Sequence, residues 1–226
     1  MTDERHSEAD APSLIEDSDA RAEREAENAI RQFDRVLDLI DDIERGGRGF
    51  RLRVSVVQEL HRIALDGLSA FAGNWRPGGV RISHSKHSPP AAHLVAGLME
   101  EMCDWVNERA ESASPITLCA YIMWRLNWIH PFDDGNGRTS RAVAYFVLCG
   151  SVGYRFPGSL TIPEIIAQDK IPYYQVLERL DESEVSGNVD LTPMKDLLET
   201  YLAKQLSSAF EDANTGRQDS GSRKLH

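Results

Sequence analysis

Twelve consecutive residues, from His130 to Arg141, carry side chains and glycines that could hold a polyphosphate and move a proton; they read HPFDDGNGRTSR. Gly135 and Gly137 would let backbone N–H groups approach phosphate oxygens without a Cβ in the way. A helix that begins just after them would direct its positive end at the same anion. Arg138 and Arg141 are three residues apart, so one face of that helix would present both guanidinium groups to a ligand.

The same loop offers a base and a hard metal ligand. His130 is the residue type that can accept a proton at neutral pH. Asp134 provides carboxylate oxygens, which suit Mg²⁺ when the ion also bridges to substrate phosphates. We expect Phe132 to plug the core beneath the loop and Asp133 to face solvent.

The elements that must position this loop are helices. Apolar residues recur at helical spacing, which predicts helices over residues 21–44, 53–70, 91–111, 116–128, 136–148, 163–167, 171–182 and 191–211. Ser114 and Pro115 form a helix start, with a capping hydroxyl before a proline. Alternation in the short run 80–83 favours a small β-hairpin or an extended flap. The pattern predicts an all-α fold, a compact helical bundle in which the two helices that flank the loop are central.

The loop resembles the signature of the Fic family (Fic/Doc superfamily), H-x-F-x-[D/E]-G-N-G-R-x-x-R, at every defined position. Ala72–Arg76 is similar to the family's A-G-x-[aromatic]-R element, and residues 80–90 resemble its flap. The similar region covers roughly residues 12–205. On this basis we expect an acidic leader at 1–20, an N-terminal helix and turn at 21–50, a Fic-type catalytic core at 51–211 with a β-hairpin flap, and a disordered tail at 212–226.

The resemblance implies a protein adenylyltransferase (AMPylator), which moves AMP from Mg–ATP to a Ser, Thr or Tyr hydroxyl. His130 would take the proton of that hydroxyl, and Asp134 would hold Mg²⁺, or Mn²⁺ in its place. Arg138 would pair with the inner phosphates of ATP and Arg141 with the γ-phosphate. Five residues of the loop would contact the nucleotide: Gly135, Asn136, Gly137, Arg138 and Arg141.

A target protein would dock by main-chain pairing along the flap, at Val80, Arg81, Ile82 and Ser83. Two alternatives stay open. One is phosphoryl transfer, or transfer of another nucleotidyl or phosphate-linked group, although Doc-type proteins usually carry Lys where this chain has Gly137. The other is a catalytically silent module that binds nucleotide and partner proteins, against which the intact His130 counts.

Many Fic proteins carry an inhibitory glutamate that pairs with the second arginine of the motif. Two stretches of this chain are similar to that inhibitory pattern. One places the glutamate at Glu16, where Ile15 would be an apolar anchor, and the other at Glu27, before Asn28. The alternative interpretation is a solvated acidic segment. An antitoxin-like partner protein could supply the inhibitory glutamate instead.

Composition limits the partners. The formal net charge of −11 argues against a general nucleic-acid binder, which needs a surface that neutralises phosphates. No apolar run reaches the length of a membrane span, and no signal peptide precedes the first helix. Three cysteines lie in apolar helical runs and are expected to be buried and reduced, as in a cytoplasmic protein; they are Cys103, Cys119 and Cys149.

Overall fold

The computed structural model describes residues 5, 7–8, 14–46, 49–184 and 189–222, with side chains up to residue 211. Within these residues the chain folds into helices and one two-stranded sheet. The helices are α1 (Ser18–Glu44), α2 (Val54–Ala64), α3 (Val95–Arg109), α4 (Pro115–Ile129), α5 (Asn136–Val152), α6 (Ile162–Gln168), α7 (Ile171–Glu184) and α8 (Thr192–Ser222), with a 3₁₀ turn at Ala92–Leu94. The strands are β1 (Ser7–Glu8) and β2 (Arg81–Ile82).

Helices α4 and α5 form the centre of the bundle, as predicted. They share the largest helix-to-helix contact among the described residues, and both are lined by fully buried apolar side chains. Ser114 caps α4 by accepting a hydrogen bond of 3.2 Å from the Thr117 amide, and Pro115 occupies the first turn. Since α4 ends at Ile129 and α5 begins at Asn136, the loop between them is fixed at both ends in the core.

Helix α1 is attached to α2 by buried amide side chains. Gln32 donates to the Leu60 carbonyl at 3.0 Å, and Asn28 donates to the Asp66 carbonyl at 2.8 Å and to the Ala64 carbonyl at 3.3 Å. The Ala64 and Asp66 carbonyls lie at the end of α2 and just after it, where no further helical N–H is available. The amides therefore hold the N-terminal half of α1 in a fixed position beside the loop.

The sheet joins distant parts of the chain. Strand β2, in the flap, pairs antiparallel with β1, so that Ser7 lies opposite Ile82 and Glu8 opposite Arg81. The flap was expected to form a small β-hairpin or an extended segment; among the described residues it contributes one strand, whose partner comes from the N-terminal leader. Part of the predicted acidic leader, Ser7–Glu8, is therefore a strand.

Other boundaries also differ from the predictions. Helix α2 ends at Ala64 rather than at residue 70, because the chain turns through Gly67 at a φ of 72°. Helix α8 continues to Ser222, through most of the tail that was expected to be disordered. Helix α1 begins at Ser18, where the Asp17 carboxylate accepts from the Ala20 amide at 2.8 Å. The three cysteines are buried and unpaired, as predicted.

Candidate functional site

His130 ends helix α4 in a left-handed conformation, with φ 50° and ψ 59°. This conformation is uncommon for a residue other than glycine. It turns the chain sharply out of the helix, while the His130 amide still donates to the Leu126 carbonyl at 2.9 Å. The imidazole is therefore held at the mouth of the loop and not on a flexible segment.

The hydrogen bonds of the imidazole define its tautomer. Nδ1 lies 3.2 Å from the Asn127 carbonyl, which can only accept, so Nδ1 carries the proton. Nε2 consequently has a free lone pair, and it accepts from the Ser7 hydroxyl at 2.8 Å. Burial lowers the pKa of His130 to about 3, against the smaller opposing effect of the Asn127 carbonyl. The ring is therefore neutral at physiological pH and is arranged as a proton acceptor facing a hydroxyl.

Arg76 holds the backbone of His130 in place. Its Nε donates to the His130 carbonyl at 2.8 Å, and its backbone amide donates to the Pro131 carbonyl at 2.9 Å. The same buried guanidinium donates to the carbonyls of Gly78 and Pro90, at the two ends of the flap. One side chain thus fixes the flap relative to His130. Sequence reasoning identified Arg76 only as part of a family element and gave it no role.

His61 supports the loop from below. Its ring stacks on Phe132, with centroids 3.5 Å apart and planes 6° from parallel. Nδ1 accepts from the Gly73 amide at 2.9 Å, so Nε2 carries the proton and donates to the Asp134 carbonyl at 3.0 Å. Burial lowers the pKa of His61 to about 4. Phe132 is fully buried, as predicted, whereas the role of His61 was missed, although its position on the apolar face of α2 was a usable signal.

The turn requires glycine at position 135. Gly135 has a φ of 74°, and a Cβ placed there would lie 2.2 Å from Leu65 Cδ2. Gly135 is also the N-cap of α5, and no side chain within the described residues caps that helix. The N–H groups of its first turn therefore remain available to an anion at the loop.

The carboxyl and amide side chains of the loop divide into two groups. Asn136 closes the loop, because its amide donates to the Phe132 carbonyl at 2.9 Å and accepts from the Phe132 amide at 3.0 Å. Asp133 was expected to face solvent, and this prediction is wrong. Asp133 is buried, and its carboxylate accepts from the Ser69 hydroxyl at 3.0 Å. This hydrogen bond anchors the loop to the turn after α2. Only the Asp134 carboxylate is directed into the open cleft above the loop.

That cleft has a volume of about 570 Å³ and an unusual charge for this protein. On a chain of net charge −11, it is lined by more cations than carboxylates. Such a lining favours a polyanionic ligand. The cations are Arg5, Arg21, Arg138, Arg141 and Lys170, and the carboxylates are Glu25 and Asp134.

The donor set fits a divalent cation that is held jointly with a ligand. Among the described residues no group of three or more His, Cys, Asp or Glu side chains is arranged around a common metal position. Mg²⁺ commonly uses only one or two carboxylates together with waters and substrate phosphates, and the half-exposed Asp134 carboxylate beside the cleft suits that mode.

Helix α1 contributes charges that sequence reasoning missed. Arg21 lies 3.1 Å from Asp134, and Glu25 lies 3.7 Å from Arg138 and 3.2 Å from Arg21. Helical periodicity accounts for this placement, because residues 21 and 25 are one turn apart on the face that meets the loop.

The two glutamates predicted to be inhibitory are elsewhere in the structure. Glu16 is exposed before the cap of α1, and Glu27 lies 3.7 Å from Arg24 on the outer face of the helix. Neither carboxylate forms an ion pair with a loop arginine within the described part of the chain. Glu25, two residues before Glu27, lies beside the loop, 3.7 Å from the first arginine of the motif, Arg138.

The predicted flap residues lie at the edge of the cleft. Ile82 is buried and lines the cleft, whereas the Arg81 side chain is exposed and lies 3.8 Å from Glu8. His87 attaches the far end of the flap by donating to the Trp128 carbonyl at 2.7 Å. Val80 and Ser83 are partly buried and flank the strand. The strand that pairs with β2 passes over His130, because Ser7 lies opposite Ile82 and its Oγ is 2.8 Å from His130 Nε2.

Comparisons with known proteins agree on one family. The family model described as Fic/DOC matches residues 51–148. The chain is 32% identical over 136 residues to a protein adenylyltransferase Fic from Drosophila persimilis. The aligned segment covers 59% of this chain and 25% of that relative. It is 31% identical over 137 residues to a protein of the same name from Nematostella vectensis, covering 30% of its length. The chain thus matches less than a third of the length of these relatives.

Solved structures share the fold. A Fic domain containing signaling protein from Bacteroides thetaiotaomicron superposes with a TM-score of 0.69 at 23% identity, covering 89% of this chain and 76% of that one. Fic-1 from C. elegans superposes with a TM-score of 0.59 at 23% identity, covering 85% and 52%. No helix in the described residues is long and apolar enough to cross a membrane. Residues 51–148, which match the Fic/DOC family model, contain the loop, Arg76 and the flap.

Proposed function

We propose that this protein is a protein adenylyltransferase, which moves AMP from ATP to a hydroxyl side chain of a protein. The observation that carries the proposal is the position of His130 Nε2. It accepts from a serine hydroxyl at 2.8 Å, at the edge of a cationic cleft formed by a glycine turn and an uncapped helix N-terminus. A base, a hydroxyl and a polyphosphate site in contact are the parts needed for nucleotidyl transfer.

The reaction is a displacement at the α-phosphorus of ATP. The acceptor oxygen forms a bond to the α-phosphorus, the bond from that phosphorus to the bridging oxygen breaks, and pyrophosphate leaves. His130 Nε2 takes the hydroxyl proton, and the Asn127 carbonyl keeps the other ring nitrogen protonated throughout. Arg138 and Arg141 offset the charge of the phosphates from the first turns of α5. Mg²⁺, held with the Asp134 carboxylate, would supply further charge neutralisation on the phosphates.

The flap provides the docking site for the target. One edge of strand β2 accepts an antiparallel strand, and β1 is paired with it in this structure. Main-chain pairing would place an acceptor side chain opposite Ile82, where it faces His130 Nε2. Such pairing reads the backbone of the target more than its side chains.

AMP transfer is favoured over phosphoryl transfer by two observations. The chain keeps Gly137, whereas Doc-type proteins usually carry Lys at that position. The relatives that match the chain at 31–33% identity are named protein adenylyltransferase.

The proposal is tested by asking which phosphate of ATP is transferred to protein. The full chain is incubated with Mg–ATP and a cell lysate, with the label on the α-phosphate in one reaction and on the γ-phosphate in a second. We expect protein-bound label only from the α-position. Protein-bound γ-label would indicate phosphoryl transfer, and nucleotide binding without transfer of either label would indicate a silent binding module.

A further inference from the structure

The N-terminal strand β1 occupies the position of a substrate. Ser7 Oγ lies 2.8 Å from His130 Nε2 and 3.3 Å from Asn136 Nδ2. Its hydroxyl proton is directed at the one nitrogen of His130 that has a free lone pair. Ser7 also lines the cleft together with Gly135, so the space beside its oxygen is the space proposed for the phosphates.

The pairing on the flap fixes which residue reaches the base. Ser7 lies opposite Ile82 and Glu8 opposite Arg81, so that Ser7 faces the cleft and Glu8 faces outward. On the facing strand, the Ile82 side chain is buried and the Arg81 side chain is exposed, which is the same alternation. A shift of one residue would direct Glu8, which has no hydroxyl, at His130.

Arg5 provides a second anchor two residues before Ser7, on the same face of the strand. Its guanidinium donates to Ser85 Oγ in the flap at 2.7 Å and lies 3.4 Å from the Asp181 carboxylate of α7. Both side chains of that ion pair are nearly buried, with 7% and 10% of their surfaces exposed. Asp181 is itself positioned by the Trp124 indole, which donates to it at 3.0 Å. The leader is thus seated by a charged side chain in a prepared site and not only by the backbone.

We propose that Ser7 is an acceptor hydroxyl of this enzyme, delivered in cis by the chain's own N-terminal strand and held in register by Arg5. The proposal rests on the proposed function and deepens it by naming a target residue. Ser7 Oγ forms the bond to the α-phosphorus of ATP, its proton passes to His130 Nε2, and pyrophosphate leaves. The product is a phosphodiester that links the Ser7 side chain to adenosine.

The consequence for activity follows from the same geometry. While β1 lies on β2, no target protein can pair with that edge of the flap. Modification of Ser7 adds a negatively charged nucleotide at the position of the hydroxyl, which can no longer donate to His130. Self-modification would therefore end the hydrogen bond that seats Ser7 on the base.

The test is site-localised mass spectrometry of the full chain after incubation with Mg–ATP, alone and with a cell lysate. We expect adenylate on Ser7 of the parent and of the Ser7→Thr variant, and none at position 7 in His130→Ala. Ser18→Ala is the matched control, because Ser18 is an exposed serine of the same leader; it should be labelled on Ser7 as the parent is. Arg5→Ala should slow labelling of Ser7 by about tenfold, since it loses a nearly buried ion pair.

Delivery in cis predicts kinetics that are independent of protein concentration. The fraction of chains modified per minute should stay constant over a dilution of roughly a hundredfold. A rate that falls in proportion to concentration would mean that another copy supplies Ser7, which would overturn the proposal.

The outcomes separate the proposal from the proposed function. Adenylate on lysate proteins or on other residues of the chain, with none on Ser7, would overturn the assignment of Ser7 and leave the proposed function intact. Absence of adenylate from every protein would overturn both.

Discussion

The loop between α4 and α5 and the strand that lies across it are held in opposite ways. Three backbone or side-chain groups of the loop are fixed by polar side chains from elsewhere in the fold: Arg76 contacts His130, Ser69 contacts Asp133, and His61 contacts Asp134. The described attachments of β1 are few, namely a two-residue pairing, the hydrogen bonds of the Ser7 hydroxyl to His130 and Asn136, and one exposed ion pair at Glu8; Arg5 adds an ion pair two residues earlier.

The difference separates the groups proposed to perform the chemistry from the hydroxyl proposed to receive the adenylate. Buried hydrogen bonds to charged groups cost several kcal/mol to break, so the base and the turn keep one geometry. A short strand at the edge of a two-stranded sheet is only weakly stabilised by its backbone pairing. Under the proposed function, we expect that the leader can be replaced by another strand on β2 while the loop keeps its geometry.

Removal of the base should have the largest effect. His130→Ala leaves the glycine turn and both loop arginines in place but removes the proton acceptor. We expect AMP transfer to fall by roughly a hundredfold or more, with ATP affinity nearly unchanged. Transfer rates and equilibrium binding of ATP measure the two quantities separately. His93→Ala, at an exposed position, is the control, and near-normal transfer by His130→Ala would exclude the assigned role.

Loss of Arg76 should loosen the loop and the flap together. Arg76→Ala leaves the carbonyls of His130, Gly78 and Pro90 without their donor. We expect transfer to fall by about tenfold to a hundredfold and the free energy of unfolding to fall by about 2 kcal/mol or more. Arg81→Ala removes an exposed arginine from the same flap and should change stability by less than about 0.5 kcal/mol. Equal effects of the two substitutions on unfolding would contradict the anchoring role.

Acid should destabilise the protein through the two buried histidines. In the unfolded chain a histidine gains a proton near pH 6.5, whereas the folded pKa values are about 4 for His61 and about 3 for His130. Their contribution to stability is therefore present above pH 6.5 and is lost as the pH falls towards the folded values. At pH 5 each should lower the free energy of unfolding by about 2 kcal/mol relative to pH 7.5.

Denaturant unfolding of His61→Gln at both pH values isolates one of these contributions. The loss of stability between pH 7.5 and pH 5 should be about 2 kcal/mol smaller than in the parent. His93→Gln, at the exposed position, should show the same loss as the parent. If the His61→Gln and parent losses were equal, the buried neutral state of His61 would be refuted.

The smallest expected effect concerns helix α1. Glu25→Ala removes a carboxylate 3.7 Å from Arg138, so that this arginine can pair more fully with phosphate. We expect ATP to bind up to about fivefold more tightly, the size of a partly exposed ion pair. Glu27→Ala is the matched control, because Glu27 lies on the outer face of the same helix. Isothermal titration with ATP measures both, and equal affinities would remove any role of Glu25 at the cleft.

The loop could be read from the sequence because its chemistry is local. The turn at Gly135 follows from the glycine itself, and the burial of Phe132 follows from its apolar side chain. The start of α5 follows from the residues just after the glycine. The helical periodicity likewise predicted α4 and α5 and their central place.

Features that depend on contacts between distant residues could not be read in this way. The burial of Asp133 depends on Ser69 after α2, and the partner of the flap strand lies in the leader. Glu25 reaches Arg138 only because Asn28 and Gln32 fix α1 on α2, and no short pattern around residue 25 contains that information.

The central claim is that the rigid loop transfers adenylate to a hydroxyl placed on His130. Its most direct test measures released pyrophosphate and protein-bound adenylate in the same reaction of the full chain with Mg–ATP. The account predicts one pyrophosphate for each adenylate bound, and neither product from His130→Ala above background. Release of inorganic phosphate in place of pyrophosphate, or equal yields from the parent and His130→Ala, would contradict it.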